Sequence, residues 1–121
     1  MELFEVFKLV ADETRLRIIN LLMMGELCVC EIEAILDLSQ SKISRHLNAL
    51  RKESVIDYER RTSWNHYFIE QSFLDEHSDL IIYLEEDVLN KEPFNLDRDR
   101  LEHYQTSCYT CASITDYKQN K

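Results

Sequence analysis

Apolar residues recur every three or four positions at the start of the chain, which is the spacing of helices that bury one face. Leu3, Phe7 and Val10 predict a first helix, and Asp12 is placed to cap a second helix that runs towards residue 23. Gly25, the only glycine in the chain, follows that second run. A glycine there predicts a left-handed backbone at the helix end, since glycine adopts positive φ freely.

Two further helices are predicted on either side of a three-residue connection. The shorter helix turns Val29, Ile32 and Ile35 inward, and Asp37-Leu38-Ser39 forms the connection. Ser39 can cap a longer helix that runs to about residue 52. A helix, a short turn and a second helix form the geometry with which many proteins bind DNA.

The longer helix combines a buried stripe with an outward face that carries no acid. Ile43 and Leu47 lie on the stripe, whereas Arg45 can contact guanine or phosphate and Asn48 can contact adenine. An ordinary solvated face is the alternative, and His46 lies near the buried edge, which favours packing. The candidate DNA-binding residues here are Ser39, Gln40, Ser41, Ser44, Arg45, His46, Asn48 and Lys52.

After Ser54 the period of the pattern changes from helical spacing to alternation, which predicts strands. Alternation over residues 55–60 and a second run over residues 65–69 predict a β-hairpin. Arg60 and Arg61 lie at its tip, where a wing follows a phosphate backbone or enters a minor groove. An exposed loop whose arginines have no role is equally compatible with these residues.

Residues 73–89 predict one long helix with more apolar surface than a small domain can bury. The surplus predicts a homodimer formed by this helix and by the first helix, through Leu3, Phe4 and Phe7. Beyond Pro93 the sequence is polar, with a short helix expected over residues 96–104 and mobile last residues. We therefore expect a DNA-binding and dimerisation domain over residues 1–90 and a tail over residues 91–121.

Composition and charge limit the classes of function. A chain of 121 residues with 45% apolar residues fits one folded unit, and a single glycine excludes a glycine-rich nucleotide loop. The start of the chain resembles neither a secretion signal nor a membrane anchor, which favours the cytoplasm. The net charge is −9, but residues 39–66 hold six bases against three acids. A local basic patch can still bind phosphate.

Four cysteines form two close pairs, Cys28-x-Cys30 and Cys108-x-x-Cys111. In a reducing cytoplasm such pairs are metal ligands or redox groups more often than structural disulfides. Soft sulfur selects trivalent arsenic or antimony, cadmium, lead or zinc. A thioredoxin-like enzyme would need a βαβ context around the second pair, and the sequence predicts none there, so we do not expect an enzyme.

The geometry of the first pair constrains how it binds an ion. Residues two apart on a helix point about 200° from each other, so Cys28 and Cys30 share an ion only if the helix start unwinds or Cys28 precedes it. We expect binding to distort this helix start. We also expect the helix N-terminus to lower the pKa of these thiols.

Three ordered motifs resemble the ArsR/SmtB family of metal-responsive repressors. They are residues 11–18 (ADETRLRI), residues 25–32 (GELCVCEI) and residues 38–47 (LSQSKISRHL), with Arg60, Arg61 and Tyr67 following. The resemblance covers roughly residues 3–90. It implies a mainly α-helical winged helix-turn-helix with a β-hairpin wing, dimeric through terminal helices. It further implies a repressor that binds operator DNA when metal-free and releases it when metal binds.

The sequence also departs from the family in its metal sites. Arsenite sensors with this Cys-Val-Cys box often carry a third cysteine just after it, and here Glu31, Ile32 and Glu33 follow. We therefore predict that Cys108 or Cys111 supplies the third sulfur for arsenic, and that the fourth cysteine serves a tetrahedral ion. Asp75-x-His77 matches half of the family's zinc site. A cadmium or lead sensor, or a thiol-redox regulator of the same fold, is the alternative.

Overall fold

The computed structural model describes residues 2–107 and 109–120 and has a winged helix-turn-helix architecture, as predicted. Within these residues, eight α-helices pack around a main hydrophobic core and a smaller second cluster, and a small antiparallel sheet forms the wing. The elements are α1 (Leu3–Val10), α2 (Glu13–Leu22), β1 (Leu27–Cys28), α3 (Val29–Leu36), α4 (Gln40–Lys52), β2 (Ile56–Arg61), β3 (Trp64–Ile69), α5 (Gln71–Glu76), α6 (Ser78–Tyr83), a π-helical turn (Leu84–Val88), α7 (Phe94–Gln105), a 3-10 turn (Cys111–Ser113) and α8 (Ile114–Asn120). None of the helices among these residues is long and apolar enough to cross a bilayer.

The predicted helix ends are confirmed by their caps. Asp12 Oδ1 accepts a hydrogen bond from Arg15 N at 3.1 Å, and Ser39 Oγ accepts one from Lys42 N at 3.3 Å. Gly25 follows α2 with φ 146°, a positive value that suits glycine, although it lies outside the left-handed helical region that we expected. Asp37 and Ser54, which end α3 and follow α4, have φ 56° and 61°.

The wing is a three-stranded antiparallel sheet in the order β1-β3-β2. The hairpin of β2 and β3 closes with a two-residue turn at Thr62-Ser63, and Thr62 takes φ 57° in the absence of a glycine. Sequence reasoning did not predict β1. Its pairing, Leu27 with Tyr67 and Cys28 with His66, attaches the cysteine box directly to the wing.

The prediction of one long helix over residues 73–89 is wrong. The segment divides into α5, α6 and the π-helical turn, and the break lies at His77, which has φ −120° and ψ 37°. Its backbone N–H still reaches Phe73 O at 3.0 Å, while its ring packs against the Phe73 ring at 5.2 Å between centroids. The tilted contact of the two rings therefore lies at the point where α5 ends and α6 begins.

Two sets of apolar side chains remain exposed on α1 and α6. They are Leu3, Phe4, Phe7, Ile82 and Tyr83, each between 50% and 64% exposed. Exposed apolar side chains of this size are typical of interaction surfaces. These residues belong to the two segments for which the sequence predicted a dimer interface.

The described part of the carboxyl-terminal segment packs against the core. The expected short helix is present and longer, as α7, and its Leu101 and Tyr104 side chains are buried with Ile114 and Tyr117 of α8. These side chains cover α2 and α3. The described part of residues 91–120 is therefore built into the same unit as the helix-turn-helix.

A buried ion pair anchors α7 to α2. Asp97 is fully buried, and its two carboxylate oxygens accept hydrogen bonds from Arg17 Nε and Nη2 at 2.8 and 2.9 Å. Arg100 Nη1 lies 3.4 Å from the same carboxylate. Asn20 Nδ2 adds a bond of 3.0 Å to the backbone oxygen of Phe94 at the start of α7.

We predict that Arg17→Met lowers the free energy of unfolding by about 3–5 kcal/mol, because it leaves the Asp97 carboxylate buried with only the partly exposed Arg100 beside it. Denaturant titration followed by circular dichroism measures this change. The double variant Arg17→Met/Asp97→Leu removes both charges and should recover most of the loss. A single variant as stable as the parent protein would contradict this account of the ion pair.

Candidate functional site

Three cysteine sulfurs meet at the junction of β1 and α3. Cys28 Sγ lies 3.6 Å from Cys30 Sγ, and the sulfurs of Cys28, Cys30 and Cys111 all lie within 4.8 Å of one another. Cys28 and Cys111 are joined as a disulfide, with their Cα atoms 7.0 Å apart, while Cys30 is a free thiol. Among the described residues this is the one group of three or more potential metal ligands so close together. Cys108 lies outside the described residues, and its role stays a prediction.

The backbone at Cys28 explains how two residues two apart turn their sulfurs to the same side. Cys28 is the N-cap of α3 and is extended, with φ −86° and ψ 165°, whereas Cys30 lies in the first helical turn. Cys28 therefore precedes the helix, which is one of the two arrangements that the spacing allowed. The two sulfurs already converge at 3.6 Å, so this geometry does not by itself require the helix start to unwind.

The spacing of the Cys28 and Cys30 sulfurs is close to that around a soft ion, whereas Cys28 and Cys111 are covalently bonded. Around a tetrahedral ion with metal–sulfur bonds of about 2.3 Å, neighbouring sulfurs lie roughly 3.8 Å apart. The observed 3.6 Å between Cys28 and Cys30 is close to that spacing. Cys28 and Cys111 are both buried, so an ion bound here would be largely shielded from water.

The pKa of Cys30 differs from the expected direction. Burial raises the pKa of its thiol, and Glu31 and Glu33 raise it further, against the opposing effects of the Cys30 backbone N–H and of Lys118. The expected lowering by the helix N-terminus is therefore outweighed by desolvation and by two acids. Cys30 is held as a neutral thiol, and an ion that binds it must displace its proton.

Glu31 connects the cysteine box to the carboxyl-terminal helices. Its Oε1 accepts a hydrogen bond from Cys28 N at 3.0 Å, and its Oε2 accepts one from Tyr104 OH at 2.5 Å. Lys118 of α8 adds an ion pair with Glu33 at 2.8 Å. These contacts hold α7 and α8 on α3, and so hold Cys111 beside the box.

Sequence reasoning missed this connection. The spacing of Cys28 and Glu31 is that of a capping box with cysteine in place of serine. The contact between Glu31 and the Cys28 backbone could therefore have been predicted from the sequence. The contact of Tyr104 could not, because Tyr104 lies 73 positions from its partner. Burial and the bond to Glu31 both raise the pKa of Tyr104, so its hydroxyl stays protonated and acts as a donor.

The outward face of α4 carries most of the predicted DNA-binding residues. Ser39, Gln40, Ser41, Arg45, Asn48 and Lys52 are exposed, and Ser44 is half-buried. His46 is the exception, since it is buried and its Nδ1 accepts a hydrogen bond from Arg15 Nε at 3.2 Å. Burial lowers the pKa of His46, which keeps the imidazole neutral and able to accept. His46 is therefore corrected to a core residue and leaves the DNA-binding set.

Both wing arginines are exposed and have partners in the protein. Arg60 Nη1 donates to Asn65 Oδ1 at 3.3 Å across the hairpin. Arg61 pairs with Glu26, two residues before Cys28. The wing is thus tied to the cysteine segment by this ion pair as well as by the pairing of β1 with β3.

The half zinc site in the sequence is not assembled within the described residues. His77 packs on Phe73, and its Nε2 lies 3.9 Å from Glu76 Oε1 without a hydrogen-bond partner. Asp75 is exposed and accepts a hydrogen bond from Gln71. Neither residue belongs to a group of converging metal ligands in this part of the chain.

Residues 12–58 match the profile of the family described as "Bacterial regulatory protein, arsR family". The chain is 50% identical over 64 residues to the arsenical resistance operon repressor of Escherichia coli, which covers 52% of this chain and 55% of that protein. It is 38% identical over 84 residues to the cadmium resistance transcriptional regulatory protein CadC of Listeria innocua, covering 69% and 71% of the two chains.

Among solved structures, reduced HlyU from Vibrio cholerae matches with a TM-score of 0.60 and 26% identity, covering 69% of this chain and 85% of that one. The chain spans about half the length of the first arsenic-resistance relatives that it matches. The match with CadC extends further, over more than two thirds of both chains.

We predict that Tyr104→Phe lowers the free energy of unfolding by about 1.5–3 kcal/mol, because it removes a hydrogen bond to the charged Glu31. Denaturant titration measures the loss. Tyr117→Phe is the matched control, since its ring packs against Tyr104 but its hydroxyl is not the donor to Glu31. Equal losses of unfolding free energy in the two variants would contradict a specific contribution of the hydrogen bond between Tyr104 and Glu31.

Proposed function

Because the chain belongs to the arsR family of bacterial regulatory proteins, we propose that it is a homodimeric transcriptional repressor that trivalent arsenic releases from its operator DNA. The observation that carries the proposal is the cluster of three sulfurs at the start of the helix-turn-helix. The repressor would act in the cytoplasm, and no catalytic step is part of its function.

The proposed ligands of arsenic are Cys28, Cys30 and Cys111 of one chain. Arsenous acid would lose three water molecules as three thiols form three arsenic–sulfur bonds, so the exchange leaves the charge unchanged. Cys28 and Cys111 must first be free thiols, which requires a two-electron reduction of their bond by the cytoplasmic thiol pool. Trivalent antimony has the same preference for sulfur and would be accepted in the same way.

The proposed DNA surface is the outward face of α4 together with the wing. Its members are Ser39, Gln40, Ser41, Ser44, Arg45, Asn48, Lys52, Arg60 and Arg61. This surface lies on an otherwise acidic chain, so binding should depend on local geometry more than on net charge. The exposed apolar faces of α1 and α6 support a two-fold dimer that presents two such surfaces to one operator.

Two connections support a coupling between the sulfurs and the DNA surface. The α3 helix begins at the cysteine box and packs on α4, so a shift of the first turn of α3 is passed to α4. The β1 strand pairs with β3, so a shift of Cys28 is also passed to the wing. An ion that changes the sulfur spacing therefore acts on both DNA-binding elements.

Two alternatives have specific support. Cadmium or lead would suit the same sulfurs, and the similarity to CadC of Listeria innocua extends over most of both chains. Oxidation is the other, because the bond between Cys28 and Cys111 is the product that two thiols and one peroxide would form with loss of two waters. Titrating operator release with arsenite, cadmium, lead and peroxide separates the three.

We predict that Arg45→Ala weakens binding to a promoter fragment by about 1–3 kcal/mol, as expected for loss of one base contact. Fluorescence anisotropy measures the affinity, and protection should cover an inverted repeat with half-sites about one helical turn apart. Arg51→Ala is the control on the same helix, since Arg51 is engaged with Asp57 at 2.9 Å and stacks over Tyr58. Unchanged binding by Arg45→Ala and by Arg60→Ala/Arg61→Ala would refute the assigned surface.

We predict that Cys111→Ser still binds operator DNA but loses its response to arsenite, as do Cys28→Ser and Cys30→Ser. The lost coupling should be on the order of 1–3 kcal/mol. Cys108→Ser is the matched control and should respond like the parent protein. X-ray absorption should then report three sulfurs around arsenic in the parent and two in Cys111→Ser.

A point substitution is needed here because a truncation after Asn90 would remove the buried Asp97, Leu101 and Tyr104 from the core. The truncated protein would lose stability as well as sulfur ligands. If Cys111→Ser is released from DNA at the same arsenite concentration as the parent, Cys111 is not a ligand.

A further inference from the structure

The sheet places a histidine and a carboxylate in register with the cysteine cluster. His66 on β3 lies directly opposite Cys28 on β1, and Glu59 on β2 lies directly opposite His66. Residues directly opposite each other on antiparallel strands carry their side chains on the same face. One face of the wing therefore holds Cys28, His66 and Glu59 in a row across its three strands.

The register of β1 and β3 places the backbone of His66 beside that of Cys28. Opposed residues have Cβ atoms about 4.5–5.5 Å apart. A metal ion bound by one cysteine and one histidine lies about 2.3 Å from the sulfur and about 2.0–2.1 Å from the imidazole nitrogen. His66 is half-buried, and the group of ligand atoms within 4.8 Å of one another comprises the three sulfurs only. Coordination by His66 would therefore bring its imidazole closer to the sulfurs than it lies here.

The other three histidines are poorly placed for this role. His46 is buried and already accepts a hydrogen bond from Arg15. His77 packs on Phe73, and His103 on α7 faces the Tyr117 ring at 6.4 Å between centroids. Only His66 stands on the strand that is paired with the cysteine box.

Resting on the proposed function, we propose that His66 is the fourth ligand when the cluster of Cys28, Cys30 and Cys111 holds a tetrahedral divalent cation such as cadmium or zinc. Glu59 would orient the imidazole by accepting a hydrogen bond from its second nitrogen, as carboxylates commonly do beside metal-binding histidines. Trivalent arsenic, which takes three sulfurs, leaves His66 unused. The same cluster thus serves ions of two geometries.

Charge favours an imidazole over a fourth thiolate. Three thiolates around a divalent cation carry one net negative charge, and Glu31 and Glu33 already lie beside Cys30. A neutral imidazole adds no charge, whereas a fourth thiolate adds a second negative charge among these acids. His66 is therefore the less costly fourth ligand in this setting.

The test uses the full chain, reduced with a phosphine, and cadmium and arsenite as probes. X-ray absorption of the cadmium complex should show three sulfurs and one nitrogen in the parent, and three sulfurs with oxygen in His66→Gln. Cadmium affinity should fall about tenfold or more in His66→Gln, while arsenite affinity is unchanged. Asn65→Ala, on the opposite face of the same strand, controls for damage to the wing and should bind both ions like the parent.

Four sulfurs around cadmium in the parent would assign the fourth position to Cys108 and overturn the role of His66. Cadmium affinity equal in His66→Gln and the parent would overturn it as well. In either case arsenite bound by three sulfurs would leave the proposed function standing. If neither ion is bound by sulfur in the parent, both the proposed function and the role of His66 fail.

Discussion

The buried ion pair between Asp97 and Arg17 holds α7 on α2, and together with the contacts of Glu31 and Glu33 it keeps Cys111 beside the start of α3. Cys28 and Cys111 are separated by 83 positions, so nothing local brings them together. The Asp97 carboxylate is fully buried and receives both nitrogens of the Arg17 fork. That contact holds the first turn of α7 on α2.

The position of the cluster, more than its composition, makes it suitable for regulation. Its sulfurs lie where a strand of the wing ends and the first helix of the helix-turn-helix begins. Glu31 occupies the same junction and binds both the Cys28 backbone and the Tyr104 hydroxyl. A change in the distances between the sulfurs would therefore displace the wing, α3 and the carboxyl-terminal helices together. An ion bound at the centre of a helix or on a loop would not act on all of these elements.

Local patterns predicted the architecture well because helix caps, hydrophobic period and turn residues are local properties. Ser39 and Asp12 cap the helices for which they were proposed, and the hairpin pairs as the alternation indicated. Patterns failed where distant contacts decide. The helix breaks at His77, whose ring packs against Phe73 at a tilted angle, and the pKa of Cys30 is raised by burial that no short window of sequence reveals.

The cluster itself was half predictable. The two cysteine pairs predicted ligands for a soft ion. The absence of a third cysteine just after Cys30 indicated that the third ligand comes from the carboxyl-terminal pair. The choice of Cys111 depended on the packing of α7 and α8, through Tyr104, Tyr117 and Lys118, and none of these carries a sequence signal for that role. The proposed role of His66 could not be predicted for a similar reason. The strand β1 that pairs with β3 has two residues and is too short to show a periodic pattern.

The separation of 83 positions between Cys28 and Cys111 has a consequence for the unfolded chain. Any link between these sulfurs, whether covalent or through an ion, closes a loop that spans most of the protein. In the chain-entropy model, closing a loop of that size removes about 4–5 kcal/mol of conformational freedom from the denatured ensemble. The bound form is then the form that resists unfolding and proteolysis, while the form without the link has a shorter lifetime. Proteases would therefore act mainly on the molecules without the link, which are the ones proposed to bind the operator.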